Sequence, residues 1–263
     1  VTDKEGSQWL LYGSFFGGLY ILPLDKKTGK PSETGFGRRV AMRPQSVDTA
    51  IEGGFIYYNP ETDYYYLFCS YDSLNDTYNI RVARSRHIDG PYIDCKGYAM
   101  DDFTHHPDEI GMKVLGSYQF SGEKVVLAPG HNSIFKRSDN QLFMVHHARR
   151  KAFSDEFFLN VRKLTWLSNG WPVVSPCLYE EDCEQKSLEL AGDWKVIRFD
   201  KYSHLQESTT ETIKKNDYQK TGDNEFKWQG NLVKTWLEMV DGNTEQVLSG
   251  MTTEGYGIIA RKI

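Results

Sequence analysis

The sequence predicts an all-β fold assembled from blades of a β-propeller. Three observations lead there. Short strand-like runs recur along the 263 residues with turn residues between them. Aromatic residues make up 14% of the chain, with sixteen Tyr and six Trp, and aromatics favour strands. An unusual polar residue (Ser14, Glu52, His131) stands at or near the start of each repeating unit, as expected where an innermost strand begins near a central axis. Repeated antiparallel units protect sheet edges in a propeller. A β-sandwich is the competing architecture.

The elements follow in order. Trp9 to Tyr12 and Gly18 to Leu24 read as two strands around a Gly-rich corner, with a turn over Asp25 to Pro31. Phe55 to Tyr58, Tyr64 to Ser70 and Tyr78 to Ser85 form a three-strand meander, its first link the polar turn Asn59 to Asp63. An irregular insertion runs from Asp94 to Lys124. Ser133 to Arg137, Leu142 to Ala148 and Phe158 to Trp166 form the next meander, and Asn169-Gly170 turns the chain into Trp171 to Val174. A polar connector, Glu180 to Lys186, then separates residues 1–180 from residues 185–263. The latter read as a small β-barrel or sandwich with strands at Trp194 to Phe199, Glu225 to Trp228, Leu232 to Met239, Gln246 to Met251 and Gly257 to Ile263. The opening Val1 to Gly6 reads as a turn between two strands, as though the chain begins within a fold.

Composition excludes several classes of function. The net charge is −5 and no basic block occurs, so nucleic acid is not an expected partner. No apolar run reaches the roughly 18 to 20 residues of a membrane span. The cysteines Cys69, Cys95, Cys177 and Cys183 fit no zinc spacing. Cys69 reads as a small buried hydrophobe, and pairing of Cys177 with Cys183 is left open. Arg81 and Arg84 read as sharing one strand face and forming structural ion pairs. The pairs His105-His106 and His146-His147 point to opposite faces of any strand, so neither chelates easily.

Glu52 is the first candidate for chemistry. It lies among apolar and glycine neighbours in Ala50-Ile51-Glu52-Gly53-Gly54-Phe55. Desolvation there would raise a carboxyl pKa, which suits a general acid.

Four motifs stand in order: Leu11-Tyr12-Gly13-Ser14-Phe15-Phe16-Gly17-Gly18, Ile51-Glu52-Gly53-Gly54-Phe55, Tyr78 to Ser85 with Gly90-Pro91-Tyr92, and Pro129-Gly130-His131-Asn132-Ser133. Trp171-Pro172-Val173 follows. Together they resemble the arabinanases of glycoside hydrolase family 43 over residues 1 to about 180. Residues 185–263 resemble the extra domain of some longer arabinanases. The resemblance implies a five-bladed β-propeller, of which this chain holds about three blades, that cleaves α-1,5-linked L-arabinan with inversion. Glu52 is then the general acid, in an inverting pair whose carboxyl groups sit roughly 6.5–9.5 Å apart.

The family's base Asp and tuning Asp do not map onto this chain. They are expected in a missing N-terminal segment or partner chain, since Asp3 belongs to a turn. Gly54 departs from the family's usual Pro and loosens the backbone beside the acid. His131 resembles the family histidine facing an axial, largely water-coordinated calcium ion, and Ser14, Phe15 and Phe16 resemble the segment lining the sugar cleft. The expected ligand is arabinan or an arabino-oligosaccharide. The expected location is extracellular, periplasmic or cell-surface, because the polymer does not enter cells. A different family 43 arabinofuranosidase or xylosidase, or a non-catalytic carbohydrate-binding protein, is the alternative.

Overall fold

The computed structural model describes residues 1–263 and is almost wholly β. No helix is long and apolar enough to cross a membrane. Three antiparallel up-and-down sheets follow one another along the first 174 residues. The first contains β1 (Gln8–Ser14), β2 (Gly18–Leu24) and β3 (Arg38–Ala41). The second contains β4 (Ile51–Asn59), β5 (Tyr64–Tyr71), β6 (Asn79–Ser85) and β7 (Met112–Leu115). After the short β8 (Tyr118–Gln119), the third contains β9 (Leu127–Lys136), β10 (Leu142–Arg149), β11 (Phe158–Trp166) and β12 (Pro172–Val174). The first strands of the three sheets pack in sequence, β1 on β4 and β4 on β9. That places the ends of three separate sheets in one region.

The expected strands are present, some unchanged in their bounds (Gly18–Leu24, Phe158–Trp166), some longer, and two starting one residue later than expected, at Asn79 and Pro172. Three were not foreseen, the two-residue β8 among them. β3 has only four residues, and β7 lies inside the stretch expected to be irregular. β7 supplies the fourth strand of its sheet and buries Met112, Val114 and Leu115.

The remaining strands are β13 (Gly192–Arg198), β14 (Gln206–Glu207), β15 (Thr209–Ile213), β16 (Tyr218–Gly222), β17 (Glu225–Trp228), β18 (Asn231–Val240), β19 (Asn243–Met251) and β20 (Gly257–Lys262). Seven of them form one antiparallel sheet in the order β15-β13-β20-β19-β18-β17-β16. Its two end strands, β15 and β16, are consecutive in sequence and joined by a short turn, so the sheet must curl. β15 and β16 were unforeseen because their alternation is almost entirely polar and exposed.

The curled sheet shares a core with the others. Ile197, Phe199, Tyr256 and Ile259 pack in one cluster with Tyr66, Phe68, Val114 and Tyr118. β14 pairs in parallel with β8. Buried polar groups cross the same junction: Ser175 Oγ donates to Glu238 at 2.5 Å, and Ser249 Oγ donates to the Val174 carbonyl at 2.6 Å.

Arg81 and Arg84 correct one expectation. Residues three apart on a strand face opposite sides, and neither guanidinium pairs directly with a carboxylate. Arg81 is fully buried and donates to the carbonyls of Asp108, Ile110 and Lys201. Arg84 donates to the Gly170 carbonyl and lies 4.4 Å over the Trp171 ring. All four cysteine thiols are free. Cys69 is buried as expected, which pushes its thiol up to about 12.

Candidate active site

Two β-bulges make the site. In β4, Glu52 pairs with Ser70 and Phe55 with Phe68, so one extra residue is inserted at Gly53-Gly54. In β9, Gly130 pairs with His147 and Ser133 with Val145, inserting another at His131-Asn132. Bulges bend a strand and re-aim a side chain, and here they re-aim Glu52 and His131.

The two bulges touch. Gly53 has φ +62°, and a Cβ on it would lie 3.1 Å from His131 Cα. His131 itself is left-handed at φ +52°. Glycine at 53 therefore answers both a backbone and a space requirement. Gly54, where the resemblance led us to expect Pro, lies under Leu19 and Leu11; a Cβ there would meet them at 3.0 and 3.1 Å. Close packing of β4 on the first sheet thus accounts for that departure.

Glu52 is half-buried and held at both oxygens. Tyr78 OH donates to Oε1 at 2.7 Å, and Ser14 Oγ donates to Oε2 at 3.1 Å. Ser14 is the last residue of β1, not near a strand start, so the first sheet offers its hydroxyl from the opposite end. The His131 N–H donates to Ser70 Oγ at 2.8 Å, tying the β9 bulge to the residue opposite Glu52. Burial pushes the Tyr78 phenol well above its usual range, and its bond to Glu52 adds to this. Tyr78 therefore stays a donor at neutral pH.

Tyr78 stacks on His147, with ring centroids 5.7 Å apart, and His147 lies 6.4 Å from the His131 ring. Burial, then the nearby His131, holds the His147 pKa below its usual value. Its neighbour His146 is buried on the other side. His146 Nε2 accepts from Arg162 Nε at 3.0 Å, and burial pulls its pKa down to about 3. The opposite-faces argument thus holds against chelation by the pair, but it overlooked that one of the two faces is the site.

Phe15 is half-buried and lines a cavity of about 550 Å³ with Ala50, Leu74 and Thr77. Phe16 is 94% exposed, and its N–H donates to Thr49 Oγ1 at 3.0 Å. The two rings therefore differ: one is a wall, the other projects into solvent. Asp3 stays in its turn, accepting from the Ser7 N–H at 2.7 Å and Trp9 Nε1 at 2.9 Å.

No group of three His, Cys, Asp or Glu side chains converges anywhere in the structure. Calcium takes 6–8 oxygen ligands in general. The residues around His131 do not by themselves make such a cage.

Tyr78 and Ser70 were not singled out from sequence, and His147 was named only as half of a pair read as unable to chelate. Tyr78 opened one of the quoted motifs, but its role rests on a 26-residue separation from Glu52 that only the β4-β5-β6 meander closes.

Glu52, fixed by two hydroxyls beside the Tyr78 ring, is a positioned carboxyl group of the kind that glycoside hydrolases use in pairs. Residues 1–172 match glycosyl hydrolases family 43, and the chain belongs to that family. It is 32% identical to an extracellular endo-α-(1→5)-L-arabinanase 2 of Bacillus subtilis over 96% of its length, and 34% identical to an extracellular endo-α-(1→5)-L-arabinanase of Thermotoga petrophila over 95%. It covers 56% of each of these relatives. Among solved structures, a family 43 YxiA protein from Bacillus licheniformis superposes with a TM-score of 0.89 at 31% identity, over 100% of this chain and 66% of that one. The Bacillus subtilis endo-arabinanase 1 matches only 65% of the chain. Some relatives thus match nearly the full length of this chain and others only about two thirds of it.

Proposed function

We propose that residues 1–263 form the acid-bearing part of a glycoside hydrolase that cleaves α-1,5-linked L-arabinan with inversion of configuration. The observation that carries this is the fixed carboxylate of Glu52, gripped by Tyr78 and Ser14 on a bulge. Glu52 donates its proton to the departing glycosidic oxygen, while a base elsewhere activates water on the opposite sugar face.

The hydrogen-bonded neighbours of Glu52 are hydroxyls, not carboxylates. The base and the tuning Asp that the family resemblance implies map onto no residue here, and we assign them to the remaining length that the relatives possess; an inverting base roughly 6.5–9.5 Å from the acid is not among its hydrogen-bonded neighbours in any case. The first 180 residues are read as about three blades of a five-bladed propeller, and residues 185–263 as an accessory domain. Ser14 and Phe15 line the sugar cleft, and Phe16 offers a ring to an apolar sugar face. Were a calcium ion held there, His131 would be the residue of this chain facing it, with water making up most of the oxygen ligands that calcium prefers. The names of the relatives support an extracellular setting and an arabinan substrate.

The test is sugar release from debranched arabinan and from xylan. The chain is assayed alone and with a polypeptide supplying the remaining carboxylates, each with and without Glu52→Gln. Arabinan cleavage that needs both the added polypeptide and Glu52 is expected. Cleavage that survives Glu52→Gln refutes the acid assignment. Cleavage of xylan alone moves the substrate to the xylosidase class. Binding without cleavage in every combination leaves a carbohydrate-binding protein, the alternative that the two unmapped Asp residues raise.

A further inference from the structure

A second cleft lies where the third sheet, the connector and the curled sheet meet, and none of the residues around Glu52 line it. It has a volume of about 430 Å³ and is lined almost entirely by polar side chains, with one aromatic ring, Trp236. Small-ligand pockets run from about 300 to 1,000 Å³. Two sheets and the connector build it: Thr165 comes from β11, Lys234 and Trp236 come from β18, and Asp182 and Gln185 from the connector. We propose that this cleft is an auxiliary binding site for a neutral oligosaccharide, with Trp236 as its stacking platform.

The argument begins with the ring. Trp236 is half-buried, and its indole edge is pinned by donation from Nε1 to Glu238 at 2.7 Å. No aromatic ring or cation of the chain covers its faces. A rigid ring beside a polar cleft suits the C–H face of a sugar, while polar groups around it take the hydroxyls.

The walls are already organised. Gln185 clasps the backbone of Leu237, next to Trp236, donating to its carbonyl at 2.9 Å and accepting from its N–H at 3.0 Å. Arg137 is tied to both Asp139 and Asp182 at 2.5 Å, and Lys163 faces Asp182 at 3.7 Å. Pre-formed walls reduce the ordering cost of binding. Lys234 Nζ and Thr165 Oγ1 make no hydrogen bond within the chain and are free for ligand hydroxyls.

Charge selects the ligand class. The cationic groups are largely matched by the two aspartates, leaving Lys234 as the single unmatched cation. A phosphate or sulfate site would need several unpaired cations. A neutral polyhydroxylated ligand needs mixed, paired polarity, which is what the cleft offers. That the sugar is arabinan rests on the function proposed above; that the cleft binds a sugar does not.

The experiment is calorimetric titration of residues 1–263 with arabino-oligosaccharides and, separately, xylo-oligosaccharides. All titrations are done in a Glu52→Gln background so that hydrolysis cannot intervene. Trp236→Ala should weaken binding about tenfold or more, while Trp236→Phe, which keeps a ring, should retain most of it. The double substitution Thr165→Ala, Lys234→Ala, at partly exposed positions that leave the core intact, should also weaken it. Loss confined to arabino-oligosaccharide supports both readings. Loss confined to xylo-oligosaccharide supports the cleft and overturns arabinan as its ligand. Binding unaltered by Trp236→Ala and by the double substitution, or no binding of either sugar, overturns the proposal.

Discussion

Tyr78 and Glu52, 26 residues apart in sequence, are joined by a 2.7 Å hydrogen bond, and the Tyr78 ring is itself clamped between His147 and Gly130. A carboxylate at a bulge could swing among rotamers. The phenol fixes one oxygen and Ser14 the other, so the sheet geometry reaches the reacting group through two hydroxyls from two different sheets.

Tyr78→Phe removes the hydroxyl and keeps the ring stacked on His147. A hydrogen bond between neutral groups, as the general-acid role requires, contributes about 0.5–1.5 kcal/mol, so loss of positioning should cost roughly 2- to 10-fold in turnover. The effect should fall on kcat with KM nearly unchanged, measured on debranched arabinan with the complete set of carboxylates. A drop in KM affinity with kcat preserved would mean that Tyr78 contacts substrate and does not position Glu52.

Gly130→Ala tests the clamp from the other side. A Cβ at 130 would lie 1.9 Å from Tyr78 Cδ1. The ring cannot stay where it is, and overpacking of this kind costs about 1–3 kcal/mol. Urea unfolding should show that loss, and the Tyr78–Glu52 bond should be disrupted with it. Unchanged stability would show that the ring has room to move.

Much of this site can be traced back to sequence, and the untraceable part has a physical cause. Glu52, Ser14 and His131 stood out because a polar residue beside glycines at a strand boundary is locally unusual. Tyr78 and Ser70 did not, because a tyrosine or serine in an aromatic strand is ordinary until its partner across the sheet is known. Apart from the four-residue β3 and from β7, the strands of the first three sheets were legible from their aromatic and β-branched runs. β7 was hidden in an irregular insertion, and the polar, exposed β15 and β16 carry no apolar alternation at all. The shared core of the curled sheet was likewise invisible, since Ile197 and Phe199 read equally well as the interior of a separate unit.

Asp72 sits at the junction of the second sheet with the curled sheet. It accepts from Arg43, from Asn79 Nδ2 at 2.8 Å and from Ser203, while Arg43, 1% exposed, also pairs with Asp108 at 2.6 Å. Burial alone would raise the Asp72 pKa, but Arg43 and Ser203 outweigh it and hold it below the usual range. Asp72→Asn leaves Arg43 with one partner in a buried setting, which should cost about 3 kcal/mol. The stabilisation is present above the ordinary carboxylate pKa and is lost as pH falls through the lowered one. Wild type and variant should therefore converge in acid, in denaturant titrations followed across pH. A constant difference down to the lowest pH would show that the charge is not what matters.

Lys113 supplies the opposite sign. It is 1% exposed on β7, its ammonium donates to the Tyr202 carbonyl of the curled-sheet segment, and burial, then repulsion from Arg81, pulls its pKa down to about 6. In the unfolded chain a lysine titrates near 10.4, roughly. Between those values the unfolded state holds a proton that the folded state has released, so stability rises with pH across the window and is lowest below it. Lys113→Met keeps the length and apolar stem and removes the titration. The variant should show a flatter stability–pH curve between about 6 and about 10, with its gain over wild type greatest at the acid end. Against that gain stands the lost bond to Tyr202, which is independent of the titration and so lowers the curve without changing its slope. Parallel curves for the two proteins, in urea titrations at several pH values, would show that Lys113 stays protonated in the fold, with its charge met by Asp200, Asp72 and Asp108 across the junction.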